Sequence, residues 1–397
     1  MKKIAVIGGG ASGLMAAITA ARGGAAVTIY EKNDRVGKKL LATGNGRCNL
    51  TNTGAGRENY HGGAADFVCR AEKRFWVEET LDFFSEIGLI TKTEDGGKVY
   101  PYSDRASSVL DVLRAELERC GVRMVCGFDV KEIRKKGGAF KIFSYDGRAE
   151  AADFVIFSAG GKASPSMSGG SGYDILKAVG HTVTSLRPSI VQLKADNKNL
   201  GGLKGVKCRA RLTLSGVSSF GELLFTDGGL SGPPAFFLSS YYEPGRENFA
   251  EIDFFDSFSE KELFNTIRKN AQLFSDCGQL FTGMLHKSIG AAVLKQCGIS
   301  HCADCKSLKN RELSEICRTL KHFPCRITGT ASWNNAQVTS GGIKASEVDG
   351  ETLQSKKCDG LYITGEILDI DGDCGGFNLQ WAWSSGYIAA ESVLMRI

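Results

Sequence analysis

No stretch of the sequence approaches the roughly 20 consecutive apolar residues of a membrane-spanning helix, so no membrane association is expected. The five histidines are scattered and no G-x-S-x-G elbow occurs, which argues against a Ser-His-Asp hydrolase. Charge of one sign is also in short supply: the formal net charge is +5 and the pI about 8.5. A basic nucleic-acid-binding domain usually sits above roughly pI 9 with a visible stripe, and the short runs "RAEKRF" and "KEIRKK" read as solvated faces. Nucleic acid is therefore not the expected partner. Internal repeats and low-complexity segments are absent, and 42% apolar with 23% charged residues is an ordinary globular composition.

What is abundant is glycine, at 50 residues against about 28 expected at the usual roughly 7%. The excess gathers in short clusters beside apolar runs, where it serves close backbone approach better than linkers. The 13 cysteines are odd in number and dispersed, and three consecutive glycines interrupt the apolar start "MKKIAVIGGG" where a signal peptide would need a helix. A reducing cytoplasm is the expected location. At 397 residues the chain suits two domains, one of them split by the other.

Ile4–Ile7 forms a short apolar strand, and Gly8-x-Gly10-x-x-Gly13 follows, with Ala11 and Ser12 inside the motif. A helical pattern comes next, then a second strand, "AVTIYEK", in which Glu31 precedes Lys32. Strand, glycines, helix, strand and acid in that order form a dinucleotide fingerprint. Gly8 suits the tight turn, Gly10 lets a pyrophosphate reach the helix N-terminus, and Gly13 permits close helix–strand packing. Glu31 suits an unphosphorylated ribose, which favours FAD or NAD over NADP. The following stretch, "RVGKKLLATGNGRCNLTN", is polar and turn-rich where a dehydrogenase would continue with βαβ units, so a loop lying along an extended cofactor is expected.

Three blocks carry a family resemblance: "GKKLLATGNGRCNLTN", "VYPYSDRASSVLDVL" and "GEILDIDGDCGGFNLQWAWSSG". With "GELLFTDGGLSGPP" between them, the chain resembles the BaiN/YhiN-like flavoproteins, FAD-dependent oxidoreductases with a glutathione-reductase-type flavin domain. The resemblance implies a Rossmann-type α/β flavin domain built from both chain ends, with an inserted β-barrel plus helical domain. It also implies that cofactor contacts come from Lys32, Lys38, Lys39, Gly44, Asn45, Gly46, Arg47, Cys48 and Asn49, from Val130, and from Ala159, Gly160 and Gly161. Near the C-terminus it implies Gly365 and Glu366, then Gly375, Gly376, Asn378 and Leu379 opening a helix whose N-terminus would face the flavin N1/O2 edge. Gly376 is expected to lie open to the ring and Asp373 to point away. The acids Asp369, Asp371 and Asp373 lack the spacing of an EF-hand.

The expected division is 1–188 and 331–397 for the flavin domain and 189–330 for the insertion, which would form the substrate cleft. Helices are expected over 66–88 and 105–120, and "VRMVCGFDVKEI", "AFKIFSYDG" and "EAADFVIFSAGG" read as three strands of a β-meander. Cys297, Cys302 and Cys305 resemble iron–sulfur spacing, but they fall in a helical segment and read as free thiols, with no metal expected. Cys48 has no second cysteine a few residues away, so disulfide reductase chemistry is not expected.

With one fingerprint, filled by FAD, electrons would come from NAD(P)H bound transiently over the flavin or from another donor. The resemblance implies hydride transfer through flavin N5 to an activated C=C bond, with a 3-oxo-Δ4 or Δ4,6 steroid or bile acid as the substrate. Alternatives are a flavoprotein acting on RNA and a flavin redox sensor or electron carrier. Arg47, Asn49 and Tyr102 lie in suggestive blocks, but cofactor binding or packing accounts for each equally well, and no catalytic residue or oligomeric state is assigned.

Overall fold

The computed structural model describes residues 1–397 apart from Gly169, Ser171 and the side chain of Asn197. The chain divides into two compact units, Met1–Pro188 with Gln337–Ile397, and Ser189–Ala336.

The first unit is Rossmann-type. Five parallel strands lie in the order Leu361–Ile363, Phe154–Phe157, Lys3–Ile7, Ala26–Glu31 and Arg123–Cys126. The C-terminal part of the chain thus completes the sheet that the N-terminus begins, with Val155, Ile156 and Phe157 facing Leu361, Tyr362 and Ile363. Helix Ala11–Arg22 leaves the central strand, and helix Phe377–Leu394 packs across it. Gly386 makes that crossing possible: a Cβ there would lie 3.1 Å from the Ser12 carbonyl carbon. Both helices are buried on most of their surface, which explains why the terminal one is apolar almost all round.

Two expected strands are each broken in two. "VRMVCGFDVKEI" gives Arg123–Cys126 in the parallel sheet and Val130–Lys136 in a separate antiparallel meander with Ala139–Ser144 and Ala149–Ala152. The change of sheet falls at Gly127, whose φ is +65°. "EAADFVIFSAGG" breaks at Asp153, whose carboxylate accepts the Lys3 N–H at 2.7 Å and turns Phe154–Phe157 into the parallel sheet. The helix expected over 66–88 is a short turn at Val68–Ala71 followed by Val77–Glu86, whereas Ala106–Arg119 is continuous.

The second unit is a closed antiparallel barrel of six strands, Leu193–Ala195, Gly229–Ser231, Val217–Thr226, Lys207–Leu214, Asn248–Asp253 and Phe323–Thr330. Three helices, Glu260–Leu273, Lys287–Gln296 and Asn310–Lys321, lie between the last two of these in sequence. Ser259 starts the first with a capping box: its Oγ accepts the Glu262 N–H at 3.3 Å, and the Glu262 carboxylate accepts the Ser259 N–H at 2.9 Å. Leu263, Ile267 and Ala271 give that helix a buried stripe. The unit ends at Ala336 rather than near residue 330, because the chain beyond the last barrel strand still bonds to it, with Ala331 N–H donating to the Gln192 carbonyl at 2.8 Å.

Candidate cofactor site

A groove opens at the C-terminal end of the parallel sheet. Gly8, Gly10, Glu31, Lys32, Lys38 and Lys39 line one part of it, and Val130, Ala159 and Gly160 line another. Gly8 has φ +102°, and a Cβ there would sit 2.8 Å from the Ser158 carbonyl carbon. Gly13 has the same constraint against Ser158 Oγ at 2.7 Å. Gly10 differs, since a Cβ there would meet nothing within 4 Å. It is the N-cap of helix Ala11–Arg22, whose first turn has no side-chain cap and no acidic residue. A helix start left in that state is a ready anion site.

Glu31 is buried and holds the turn together. One carboxylate oxygen accepts the Gly9 N–H at 2.7 Å, and the other accepts the Asn33 N–H at 2.8 Å and its side-chain amide at 2.6 Å. Each carboxylate oxygen can accept two bonds, so the oxygen on Gly9 retains capacity for a further donor. Asn33 also donates to the Met167 carbonyl at 3.0 Å. Lys38 pairs with Asp34 at 3.4 Å, while Lys39 reaches Glu366, 327 positions away, at 2.6 Å. The other Glu366 oxygen accepts the Thr339 N–H at 2.8 Å, and a Cβ on Gly161 would fall 2.6 Å from it. Ser12 Oγ donates to Thr364 Oγ1 at 2.6 Å, and the Gly365 N–H donates to Ser385 Oγ at 3.0 Å. Residues from both chain ends thus meet around the groove.

The glycine-rich loop places Gly44, Asn45, Gly46 and Cys48 at positive φ. Arg47 turns toward protein partners: Glu94 at 2.5 Å, Asp104 at 2.9 Å, and the Tyr100 ring at 4.0 Å. Cys48 is fully buried and burial pushes its thiol up to about 12, so it stays protonated. Tyr102 is 69% exposed.

The terminal loop packs against this one. Gly376 is the N-cap of helix Phe377–Leu394 at φ +102°, and its missing side chain faces protein: a Cβ would lie 2.6 Å from the Thr51 carbonyl carbon and 2.9 Å from Asn49 Oδ1. Gly375 is likewise closed off by the Phe377 ring at 2.7 Å. Asn49 Oδ1 is buried without a hydrogen-bond partner beside that uncapped helix start. Asn378 ties the loop from inside, accepting the Gly372 N–H at 2.8 Å and donating to the Gly372 carbonyl at 2.7 Å. Leu379 is half-buried against the core. Asp373 is held inside the protein. It is 8% exposed and bonded to His61 Nε2 at 2.8 Å, because the short strand Tyr60–His61 pairs with Asp371–Gly372.

Sequence reasoning missed Ser158, Asn33, Thr339 and His61. Thr339 lies two residues before the glycine pair 341–342, a turn signal of the kind found at 160–161. The others carry no local signal. Of the cysteines with cluster-like spacing, Cys302 is exposed, Cys297 bonds Thr319 Oγ1 at 3.4 Å, and Cys305 is buried beside Cys277. Among the described residues no group of three or more His, Cys, Asp or Glu could hold a metal ion, and no helix is long and apolar enough to cross a membrane.

A parallel sheet, a glycine turn and an uncapped helix start beside a buried acid define a Rossmann-type nucleotide-binding protein. The model for the HI0933-like protein Rossmann domain matches residues 2–392, and the chain belongs to that family of flavoprotein oxidoreductases. It is 40% identical to the 3-dehydro-bile acid delta(4,6)-reductase of Clostridium scindens, covering 100% of both chains. It is 28% identical to the ribosomal RNA dihydrouridine synthase of Escherichia coli, over 98% of this chain and 97% of the other. The enzyme of that name from Haemophilus influenzae is 27% identical with the same coverage.

Proposed function

We propose that this chain is an FAD-dependent enzyme that moves hydride from NAD(P)H to an activated C=C bond, with a 3-oxo-Δ4 or Δ4,6 steroid or bile acid as substrate. The observation that carries the reading is the full-length 40% identity to a bile-acid delta(4,6)-reductase, joined to a groove whose residues suit FAD. Gly10 leaves open space at an uncapped helix start for a pyrophosphate. The Glu31 oxygen on Gly9 has capacity left with which it would accept a ribose hydroxyl. Asn49 Oδ1 is an orphan acceptor beside a second uncapped helix start, where a flavin ring N–H would satisfy it.

When bound, the flavin supplies the hydride chemistry; the protein holds and orients it. Lys39 and Glu366 fix each other and bring the glycine loop to the last strand of the sheet. The uncapped start of helix Phe377–Leu394 would stabilise negative charge at the flavin N1/O2 edge. Burial pushes the Cys48 thiol up to about 12, which speaks against a thiolate role in electron transfer. The Ser189–Ala336 unit is assigned substrate recognition.

The names of the relatives at 27% and 28% identity favour a second reading, action on ribosomal RNA. One experiment separates the two. Purified protein is reduced anaerobically with NADH and NADPH, then mixed with 3-oxo-Δ4 and Δ4,6 steroids or with ribosomal RNA. Fast reoxidation by the enones supports the first reading. Reoxidation by RNA alone replaces it with the second, and protein that neither carries nor takes up FAD overturns both.

A further inference from the structure

The terminal loop contains two buried carboxylates, Asp371 at 1% and Asp373 at 8% exposure. A buried carboxylate is costly unless a positive group or several donors face it. The side chain that meets Asp373 closely is His61, with Nε2 at 2.8 Å from Oδ1; Asn59 Nδ2 lies 3.5 Å from the other oxygen. Backbone bonds lock the arrangement. Asp371 and Gly372 pair with His61 and Tyr60, and the Asp373 N–H donates to the Asn59 carbonyl at 2.9 Å.

The same loop sets the start of helix Phe377–Leu394. Tyr60, next to His61, donates its hydroxyl to the Phe377 carbonyl at 2.8 Å, and Asn378 donates to the Asp373 carbonyl at 3.3 Å. The imidazole is therefore fixed to the loop that aims this helix, and it is 27% exposed, so it can exchange a proton with water. Asp373, Asp371 and Arg57 are among the charged groups that face it; the bond to Asp373 raises its proton affinity most, burial opposes that, Asp371 adds to it and Arg57 subtracts.

We infer that His61, held by Asp373, is a positioning residue that takes up a proton when a flavin at the terminal helix is reduced. The inference rests on the proposed flavin site. Two electrons and the N5 proton arrive together as hydride from a nicotinamide, or as two electrons from an electrode with mediators and one proton from water. The N1/O2 edge keeps a negative charge, and one further proton passes from water to His61. The added negative charge binds the imidazolium more tightly by Coulomb attraction, and by linkage the proton makes reduction easier.

The test uses the FAD-loaded full chain. The pH dependence of the midpoint potential is measured for wild type, His61→Gln and Asp373→Asn, with FAD retention and thermal stability alongside. Wild type should take up extra protons on two-electron reduction, up to one, in the pH range between the His61 titrations of the oxidised and reduced forms. His61→Gln should lose that proton, and Asp373→Asn should move the uptake to lower pH. A purely structural pair would lower stability in both variants and leave the proton count unchanged. If His61→Gln does not fold, labelled histidine decides by NMR, tractable with five histidines in the chain: the His61 titration should move to higher pH on flavin reduction. Superimposable potential curves, or a His61 titration indifferent to reduction, overturn the inference alone. Wild type that binds no FAD overturns it together with the proposed function.

Discussion

Two glycine turns bracket the chain, and they resemble each other in sequence far more than in structure. At Gly8–Gly13 the middle glycine faces open space, and at Gly372–Gly376 every missing side chain faces protein. Gly10 has φ −82° and ψ −173°, which any residue adopts, whereas Gly376 has φ +102°. Gly10 borders open space. The glycines of the terminal turn border the Thr51 backbone and the side chains of Phe377 and Tyr60. Both turns open a helix without a side-chain cap, so the likeness in function lies in the helix starts and the difference lies in what the glycines touch.

The largest effect should come from breaking the packed turn. Gly376→Ala forces an L side chain into left-handed backbone, at about 1–2 kcal/mol, and drives a Cβ onto the Thr51 carbonyl, where overpacking costs roughly 1–3 kcal/mol more. Protein free of cofactor should lose about 2–5 kcal/mol in a denaturant titration. A loss confined to FAD affinity, with unfolding unchanged, would return Gly376 to the role its sequence suggested.

What was legible and what was not follows the same line. The fingerprint is readable because its parts are local: Ile4–Ile7, three glycines, a helix and Glu31 lie within one βαβ stretch, and short alternating segments announce the barrel. The strand breaks at Gly127 and Asp153 are not local. Asp153 changes sheet because its carboxylate meets Lys3, 150 positions away. Arg47 reads as a cofactor cation, yet its direction is set by Glu94 and Asp104, 47 and 57 positions further along the chain. The partner of Asp373 is hidden in the same way, because nothing near it in sequence announces His61, 312 positions earlier. The lesion at Gly376 has the same origin, since Thr51 lies at the other end of the chain.

A middling effect is expected where the first turn depends on protein contacts. Glu31→Ala removes the acceptor of the Gly9 N–H and of Asn33, and leaving buried donors unmet costs about 1–3 kcal/mol. Thermal unfolding without cofactor should show this loss. FAD retention should fall further than the stability change alone accounts for, because the ribose loses its acceptor. Glu31→Gln keeps one acceptor oxygen and should be milder on both measures. Equal retention by wild type and Glu31→Ala would remove the ribose from this carboxylate.

The smallest effect on the protein itself should be at Gly10, and it sharpens the comparison most. The backbone there suits any residue, a Cβ meets nothing, and Gly→Ala at such a site stabilises by about 0.4–1 kcal/mol through the unfolded chain. Gly10→Ala without cofactor should therefore unfold at the wild-type denaturant concentration or slightly above it. The added methyl would nonetheless stand where a pyrophosphate approaches the first helical N–H groups. Losing one hydrogen bond to a charged group costs about 1.5–3 kcal/mol, so FAD affinity should fall by roughly tenfold or more, measured by fluorescence on reconstitution. Gly376→Ala should give the opposite pattern, with stability lost first and affinity only as a consequence. If Gly10→Ala were to bind FAD as wild type does, the open space at the first turn would not be the pyrophosphate site, and the contrast between the two turns would reduce to backbone angle alone.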